Sequence, residues 1–146
     1  MGTDVQIDEL VRSVSAKISK SPVKFAFLYG SVAAGKHTQI SDLDIAVYCE
    51  DDGDFASMLD VLAGEFSEIR IDMVNLKKLS PIDYYEIISA GRRLFIADEP
   101  LYKQEKLRVM REYLDFAGTR AQIMADMVTR IGKGEYGKSA SEIKRA

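Results

Sequence analysis

Tryptophan is absent from this chain of 146 residues, and cysteine and histidine occur once each. The lone cysteine, Cys49, cannot form a disulfide within the chain, so we expect a reducing compartment, the cytoplasm. The lone histidine, His37, has no partner histidine and no nearby Ser/Cys arrangement, and is interpreted as a surface residue. Disulfide scaffolds and histidine-based nucleophilic sites are therefore excluded.

Long apolar runs are missing as well. Unbroken apolar runs such as residues 25–29 are far short of the roughly 20 residues that span a bilayer, and the beginning MGTDVQIDEL does not resemble a secretory signal. Lys and Arg number 20 against 23 Asp and Glu, a net charge of −3. This balance argues against direct nucleic-acid binding, which needs a basic face. We expect a soluble protein without a membrane partner.

The pattern of apolar residues predicts one α/β (α+β) domain with a small mixed sheet of three to four strands. Hydrophobic residues make up 47% of the chain and charged residues 29%, an ordinary globular composition. Short runs rich in β-branched and aromatic residues predict strands at 23–29, 43–49 and 69–76, with a fourth at 94–97. The capping-box spacing of Thr3 and Gln6 and the helical spacing that follows predict a helix over about 3–18. Further helices are predicted over about 55–62 and from Ser80-Pro81 to Gly91, with a break at 98–100.

A long C-terminal helix is predicted over 101–131. One apolar stripe steps alternately by three and four residues, and a second, partial stripe lies beside it. A helix that is apolar over this width must cover a sheet or meet a partner. The domain is therefore expected to span 1–131, and the polar, glycine-rich segment 132–146 is expected to be a disordered tail. The first stripe comprises Leu107, Met110, Leu114, Ala117, Ala121, Met124, Val128 and Ile131.

The segment LYGSVAAGKHTQISDLDIAV, residues 28–47, carries the candidate chemistry. Gly30 removes a side chain where the backbone must turn or approach a ligand closely. Ser31, at the apparent start of a helix, can offer its hydroxyl and backbone N–H to an anion. The Gly-Ser turn is thus a candidate phosphate cradle.

Three acidic residues are placed to meet beside that turn. Asp42 and Asp44 are two residues apart on a predicted strand, so they share one face. Asp72 interrupts the apolar run at 69–76, where a carboxylate has no packing role. The alternative is a structural salt bridge from Asp72 to Arg70 or Arg92. Clustered carboxylates repel one another unless a cation neutralises them, and two Mg²⁺ ions that also hold substrate phosphates are the obvious candidates.

This pattern, GS…G…SDLDIAV followed by a third aspartate, resembles the polymerase-β-type nucleotidyltransferase superfamily. The length points to its minimal nucleotidyltransferase (MNT) branch, the MntA-type antitoxins that pair with helical HEPN toxins. The resemblance implies a polymerase-β-like fold, with Asp42, Asp44 and Asp72 as metal-binding catalytic acids. It also implies that Gly30 and Ser31 hold the triphosphate.

The resemblance further implies Mg²⁺-dependent transfer of AMP from ATP to a protein hydroxyl, a tyrosine of a cognate HEPN toxin. One departure concerns the turn: relatives commonly carry arginine where this chain has Ala34, and Lys36 follows as a substitute nucleotide-binding charge. Lysine lacks the planar fork of arginine, so we expect this difference to affect nucleotide binding and catalysis rather than the fold.

Two other functions stay open at this point. A non-catalytic binding module would neutralise a partner by occlusion through the C-terminal helix, and Ala34 favours it. Transfer of a nucleotide to a small molecule would need a deep pocket beside the acids. Homo-oligomer formation is also left open by the sequence.

Overall fold

The computed structural model describes residues 2–30 and 42–132, and over this part of the chain four helices flank a four-stranded mixed sheet. The sequence predicted three strands and a short fourth one, and all four are present. Among these residues no helix has the length and apolarity needed to cross a membrane. The elements in chain order are α1 (Gly2–Ser19), β1 (Phe25–Tyr29), β2 (Asp42–Tyr48), α2 (Asp52–Glu65), β3 (Arg70–Asn75), a 3₁₀ turn (Leu76–Lys78), α3 (Pro81–Ala90), β4 (Arg92–Ile96) and α4 (Glu99–Gly132).

The strands lie in the order β3-β2-β1-β4. β1 pairs antiparallel with both β2 and β4, whereas β2 and β3 run parallel and are connected through α2. A parallel pair needs such a crossover, because its second strand must restart at the same edge of the sheet. The carboxyl end of β1 and the amino ends of β2 and β3 therefore meet at one edge.

Each face of the sheet is covered by a different pair of helices. Successive strand residues point to opposite faces, so alternate residues of β1 and β2 enter separate cores. The core under α1 and α2 contains Ala26, Leu28, Leu43, Ile45, Val47, Val14, Ile18 and Leu62. The core under α3 and α4 contains Phe25, Phe27, Ala46, Tyr48, Tyr84, Ile88, Tyr102 and Val109.

Several element boundaries differ from the prediction, most notably at β4 and at the start of α4. β4 begins at Arg92 rather than Leu94, because Arg92 and Arg93 pair with Leu28 and Phe27 of β1. The predicted break at 98–100 is the start of α4 itself. The Asp98 side chain accepts a hydrogen bond from the Leu101 N–H at 3.0 Å, and Pro100 tolerates a first-turn position because no N–H is needed there.

α4 extends beyond the sheet and α3, against which its first half packs. Its 34 residues make a helix of about 51 Å, which continues through Gly118 without interruption. Tyr102 and Val109 are buried against the sheet and α3, but the helix beyond residue 117 has almost no burial. It ends at Gly132, one residue past the predicted end, and the predicted tail from 133 onward lies outside the described residues.

Asn75 is the buried polar residue that ties β3 to the end of β2. Its side-chain amide donates to the Cys49 carbonyl at 2.8 Å, while its oxygen accepts from the N–H groups of Cys49 and Lys77 at 3.2 Å each. These bonds satisfy buried backbone groups that would otherwise be unpaired.

We expect Asn75→Ala to lower the free energy of unfolding by about 1–3 kcal/mol, because it leaves buried backbone partners unsatisfied. Urea denaturation followed by circular dichroism measures the change. Gln104→Ala, at an exposed position of α4, is the control and should change stability by less than about 0.5 kcal/mol. Equal midpoints for Asn75→Ala and the parent chain would contradict the assigned role.

Candidate active site

The predicted acids lie on the edge where β1 ends and β2 and β3 begin. Asp44 on β2 is in register with Tyr29 on the antiparallel neighbour β1 and with Asp72 on the parallel neighbour β3. Adjacent strands are about 4.8 Å apart, so the carboxylates of Asp44 and Asp72 start from neighbouring positions on the same face. This is the face that α3 and α4 cover.

Asp42 lies two residues before Asp44 on the same face, and it is in register with Arg70 rather than with an acid. Arg70 Nε contacts Asp72 Oδ1 at 3.2 Å, with both side chains substantially exposed. The other candidate partner, Arg92, contacts Asp8 instead, at 3.6 Å. An exposed ion pair contributes little to stability, so Asp72 can exchange Arg70 for another cation at small cost.

Gly30 directly follows β1 and lies against the side chain of Asp44. Its φ of +79° lies in the left-handed region that side chains disfavour. A Cβ at this position would collide with Asp44 Oδ2 and lie 3.1 Å from Asp44 Cγ. Glycine thus gives the Asp44 carboxylate the space it occupies. The other predicted nucleotide-binding residues, Ser31 and Lys36, lie outside the described residues, as does Ala34.

The electrostatics of this edge show an excess of negative charge. Partial burial raises the pKa of Asp44 first of all, and Asp72 and Asp42 raise it further, while Arg70 opposes them. Burial likewise raises the pKa of the Tyr29 hydroxyl, with smaller contributions from Asp44 and Asp72. A cation placed here would relieve this repulsion, and aspartate oxygens are the ligands that Mg²⁺ prefers.

The three aspartates are therefore suitable ligands for Mg²⁺, although their side chains do not form a complete coordination site. Within 2–30 and 42–132, no three His, Cys, Asp or Glu side chains approach one another closely enough to hold an ion together. Asp44 and Asp72 are brought side by side, and Asp42 lies on their face, with the Arg70 guanidinium beside Asp72. Asp42, Asp44 and Asp72 are the residues that would hold the metal.

A cavity of about 470 Å³ opens beside the acids, between the sheet and α3. Tyr29 and Gly30 line one side, while Val74 and Ile87 contribute to its apolar wall. Asp83 and Glu86, two acidic residues of α3, also line the cavity. The described surface around the acids therefore combines an apolar recess with further negative charge.

Sequence reasoning missed Tyr29 and the recess. The alternation Phe25, Phe27, Tyr29 was the available signal, because it places Tyr29 on the same face as Asp44. No comparable signal marked Asp83 and Glu86, since their position depends on how α3 packs across the sheet.

The protein-family comparison matches the model described as "Polymerase beta, Nucleotidyltransferase" to residues 14–100. The match spans more than half of the chain and includes every predicted catalytic acid. The chain belongs to the polymerase beta nucleotidyltransferase family. A comparison with curated protein sequences finds no significant relative.

Chains solved in toxin–antitoxin complexes share the fold. A toxin–antitoxin crystal structure with AMP-PNP matches with a TM-score of 0.61 and 21% identity, over 78% of this chain and 98% of the other. A complex of tri-AMPylated Shewanella oneidensis HEPN toxin with MNT antitoxin matches with a TM-score of 0.58 and 19% identity, over 81% and 98%. An MntA–HepT complex gives 0.53 and 19%, over 86% and 97%.

Proposed function

We propose that this nucleotidyltransferase transfers AMP from ATP to a tyrosine hydroxyl of a HEPN-type toxin and thereby acts as its antitoxin. The observation that carries the proposal is the register of Asp44 with Asp72 beside the side-chain-free Gly30. It supports a site for phosphate and divalent cation at the mouth of an open recess. The similarity to antitoxins in complexes with AMP-PNP and with AMPylated toxin supports the substrate and the acceptor.

The transfer is an in-line displacement at the α-phosphorus of ATP. The acceptor tyrosine oxygen forms the new bond to that phosphorus, the bond to the bridging oxygen of the β-phosphate breaks, and pyrophosphate leaves. Asp72 orients the acceptor hydroxyl and takes up its proton, while Gly30 and Ser31 hold the phosphates with backbone N–H groups. Mg²⁺ bound by Asp42, Asp44 and Asp72 would offset the negative charge of the reacting phosphates.

The recess beside the acids suits the acceptor better than it suits the phosphates. Its apolar wall accommodates an aromatic ring next to Asp72, and Asp83 and Glu86 would repel a triphosphate while attracting basic residues that flank an acceptor tyrosine. We therefore assign this recess to the acceptor side chain.

The test is transfer of label from [α-³²P]ATP to a purified cognate toxin in the presence of Mg²⁺. We expect labelling of the toxin by the parent chain and loss of labelling by roughly a thousandfold or more in Asp42→Asn and Asp44→Asn, because each change removes a cation-binding charge. Asp60→Asn, an exposed change on α2, is the matched control and should label normally.

The second candidate is a non-catalytic module that occludes the toxin through α4, and the exposed apolar side chains of that helix favour it. It predicts that toxin inhibition survives Asp42→Asn and Asp44→Asn without any label transfer. Transfer to a small molecule, the third possibility, would use the same recess, and would appear as a labelled low-molecular-weight product with the toxin unlabelled.

A further inference from the structure

α4 exposes many apolar side chains, most of them beyond residue 117. Eight large ones are between 39% and 66% exposed, whereas Val109, on the inner part of the same helix, is fully buried. The family match ends at residue 100, just after α4 begins, so this surface lies beyond the nucleotidyltransferase domain as matched. The eight residues are Leu107, Leu114, Phe116, Ile123, Met124, Met127, Val128 and Ile131.

The spacing along this surface is that of a coiled-coil seam. The stripe from Leu107 to Ile131 alternates steps of three and four residues without a fault, which is the a/d pattern of a heptad repeat over three and a half heptads. Leu107, Leu114, Ala121 and Val128 occupy a positions, and Met110, Ala117, Met124 and Ile131 occupy d positions. Such a seam packs against another helix.

We propose that this chain pairs with a second copy of itself through residues 114–131 of α4, with the two helices antiparallel. A two-fold axis between Gln122 and Ile123 places each a residue against a d residue of the second copy, as antiparallel packing requires. Ala117 then faces Val128 of the second copy, and Ala121 faces its Met124. Leu114 faces its Ile131 at either end, so the seam runs for about 27 Å.

Each copy of α4 carries both the groove and the large side chains that this pairing requires. A groove of about 260 Å³ lies along α4 at Ala117 and Ala121, closed on one side by Ile82 of α3. The small residues leave the groove open, and Met124 borders it. Val128 follows one turn further along the same seam, and the side chains of Met124 and Val128 are 57% and 66% exposed. The two-fold axis brings the large residues of one copy into the groove of the other.

Parallel pairing of the same helices fits poorly. It would place Ala117 on Ala117 and Ala121 on Ala121, leaving two adjacent layers underfilled, and underfilled layers cost stability. The antiparallel arrangement instead places Arg120 beside Met127, where the apolar stem of the arginine can pack.

The first test measures the mass of the full chain alone by sedimentation velocity over a range of concentrations. We expect a dimer that dissociates on dilution, and we expect Met124→Glu to weaken dimerisation by roughly 30-fold or more, because it puts an unpaired charge into the seam. Thr129→Glu, on the outer face of the same helix, is the control and should dimerise normally. Unchanged thermal unfolding of the sheet domain in both variants excludes misfolding.

The second test addresses the register. Ala121→Lys and Met124→Glu should each be monomeric alone, but a mixture should form a heterodimer, because the two introduced charges meet across an antiparallel seam. A parallel seam offers them no such contact. The proposal would be overturned by a parent chain that stays monomeric at every concentration, or by a mixture of the two variants that fails to associate. If the parent chain is monomeric and Met124→Glu also loses toxin binding, the seam binds the toxin instead.

Discussion

We expect Gly30→Ala to lower nucleotidyl transfer by about a hundredfold or more while the protein still folds. The left-handed backbone at this position costs a non-glycine residue about 1–2 kcal/mol, and the added methyl group would collide with the Asp44 carboxylate. A displacement of about 1 Å in a catalytic group is enough for a rate loss of this size. Label transfer at saturating ATP, together with urea denaturation, measures both effects.

Gly118→Ala is the matched control for this change. Gly118 lies in the middle of α4, and no atom lies within 4 Å of the position that its Cβ would occupy. Alanine there should favour the local helix by about 0.5–1 kcal/mol and leave the transfer rate unchanged. Full activity of a folded Gly30→Ala variant would show that the Asp44 carboxylate does not depend on the space that glycine leaves.

The second large effect concerns Asp44→Asn, which should stabilise the protein while it abolishes transfer. Burial and the neighbouring acids raise the pKa of Asp44, so the folded protein holds this proton more tightly than the unfolded chain does. That contribution to stability is present in full below the ordinary pKa of aspartate. It is lost as the pH rises through the raised pKa, because the native state must then carry a repelled charge.

In a metal-free buffer at pH 7 we therefore expect Asp44→Asn to raise the Tm, by no more than about 4 °C because water screens this half-exposed carboxylate. The difference should shrink as the pH falls through the raised pKa and should be nearly gone below about 4, the ordinary pKa of aspartate. Mg²⁺ should raise the Tm of the parent chain and leave the variant nearly unaffected. A variant that is less stable than the parent at pH 7 without metal would indicate that Asp44 makes a favourable interaction instead. Asp60→Asn again serves as the control.

Much of the fold was predictable because local signals agreed with one another. Ser80 caps α3 as predicted, with its hydroxyl accepting from the Asp83 N–H, and the alternation of β2 correctly placed Leu43, Ile45 and Val47 in one core. The start of α4 was not predicted, because a proline preceded by two acids is equally typical of a break and of a helix start.

The candidate site was predictable in its charged part and in the backbone turn at Gly30. The spacing of Asp42 and Asp44 fixes their common face, whereas the register of Asp44 with Asp72 depends on which strands become neighbours, and a single sequence does not determine that pairing. The recess under α3 is a property of tertiary packing between residues far apart in the chain. For the same reason, the apolar stripe of α4 predicted burial or a partner but could not distinguish between them.

The separation of α4 into a packed inner part and an uncovered outer part has a consequence for folding. The inner part is ordered by the sheet and α3, but the outer part of about 15 residues receives no such support, and isolated helices of that length are marginal in water. Helix formation in this segment and its binding to another molecule should therefore be one cooperative step. Its helical content should rise with protein concentration as a result. The core domain would unfold independently of both.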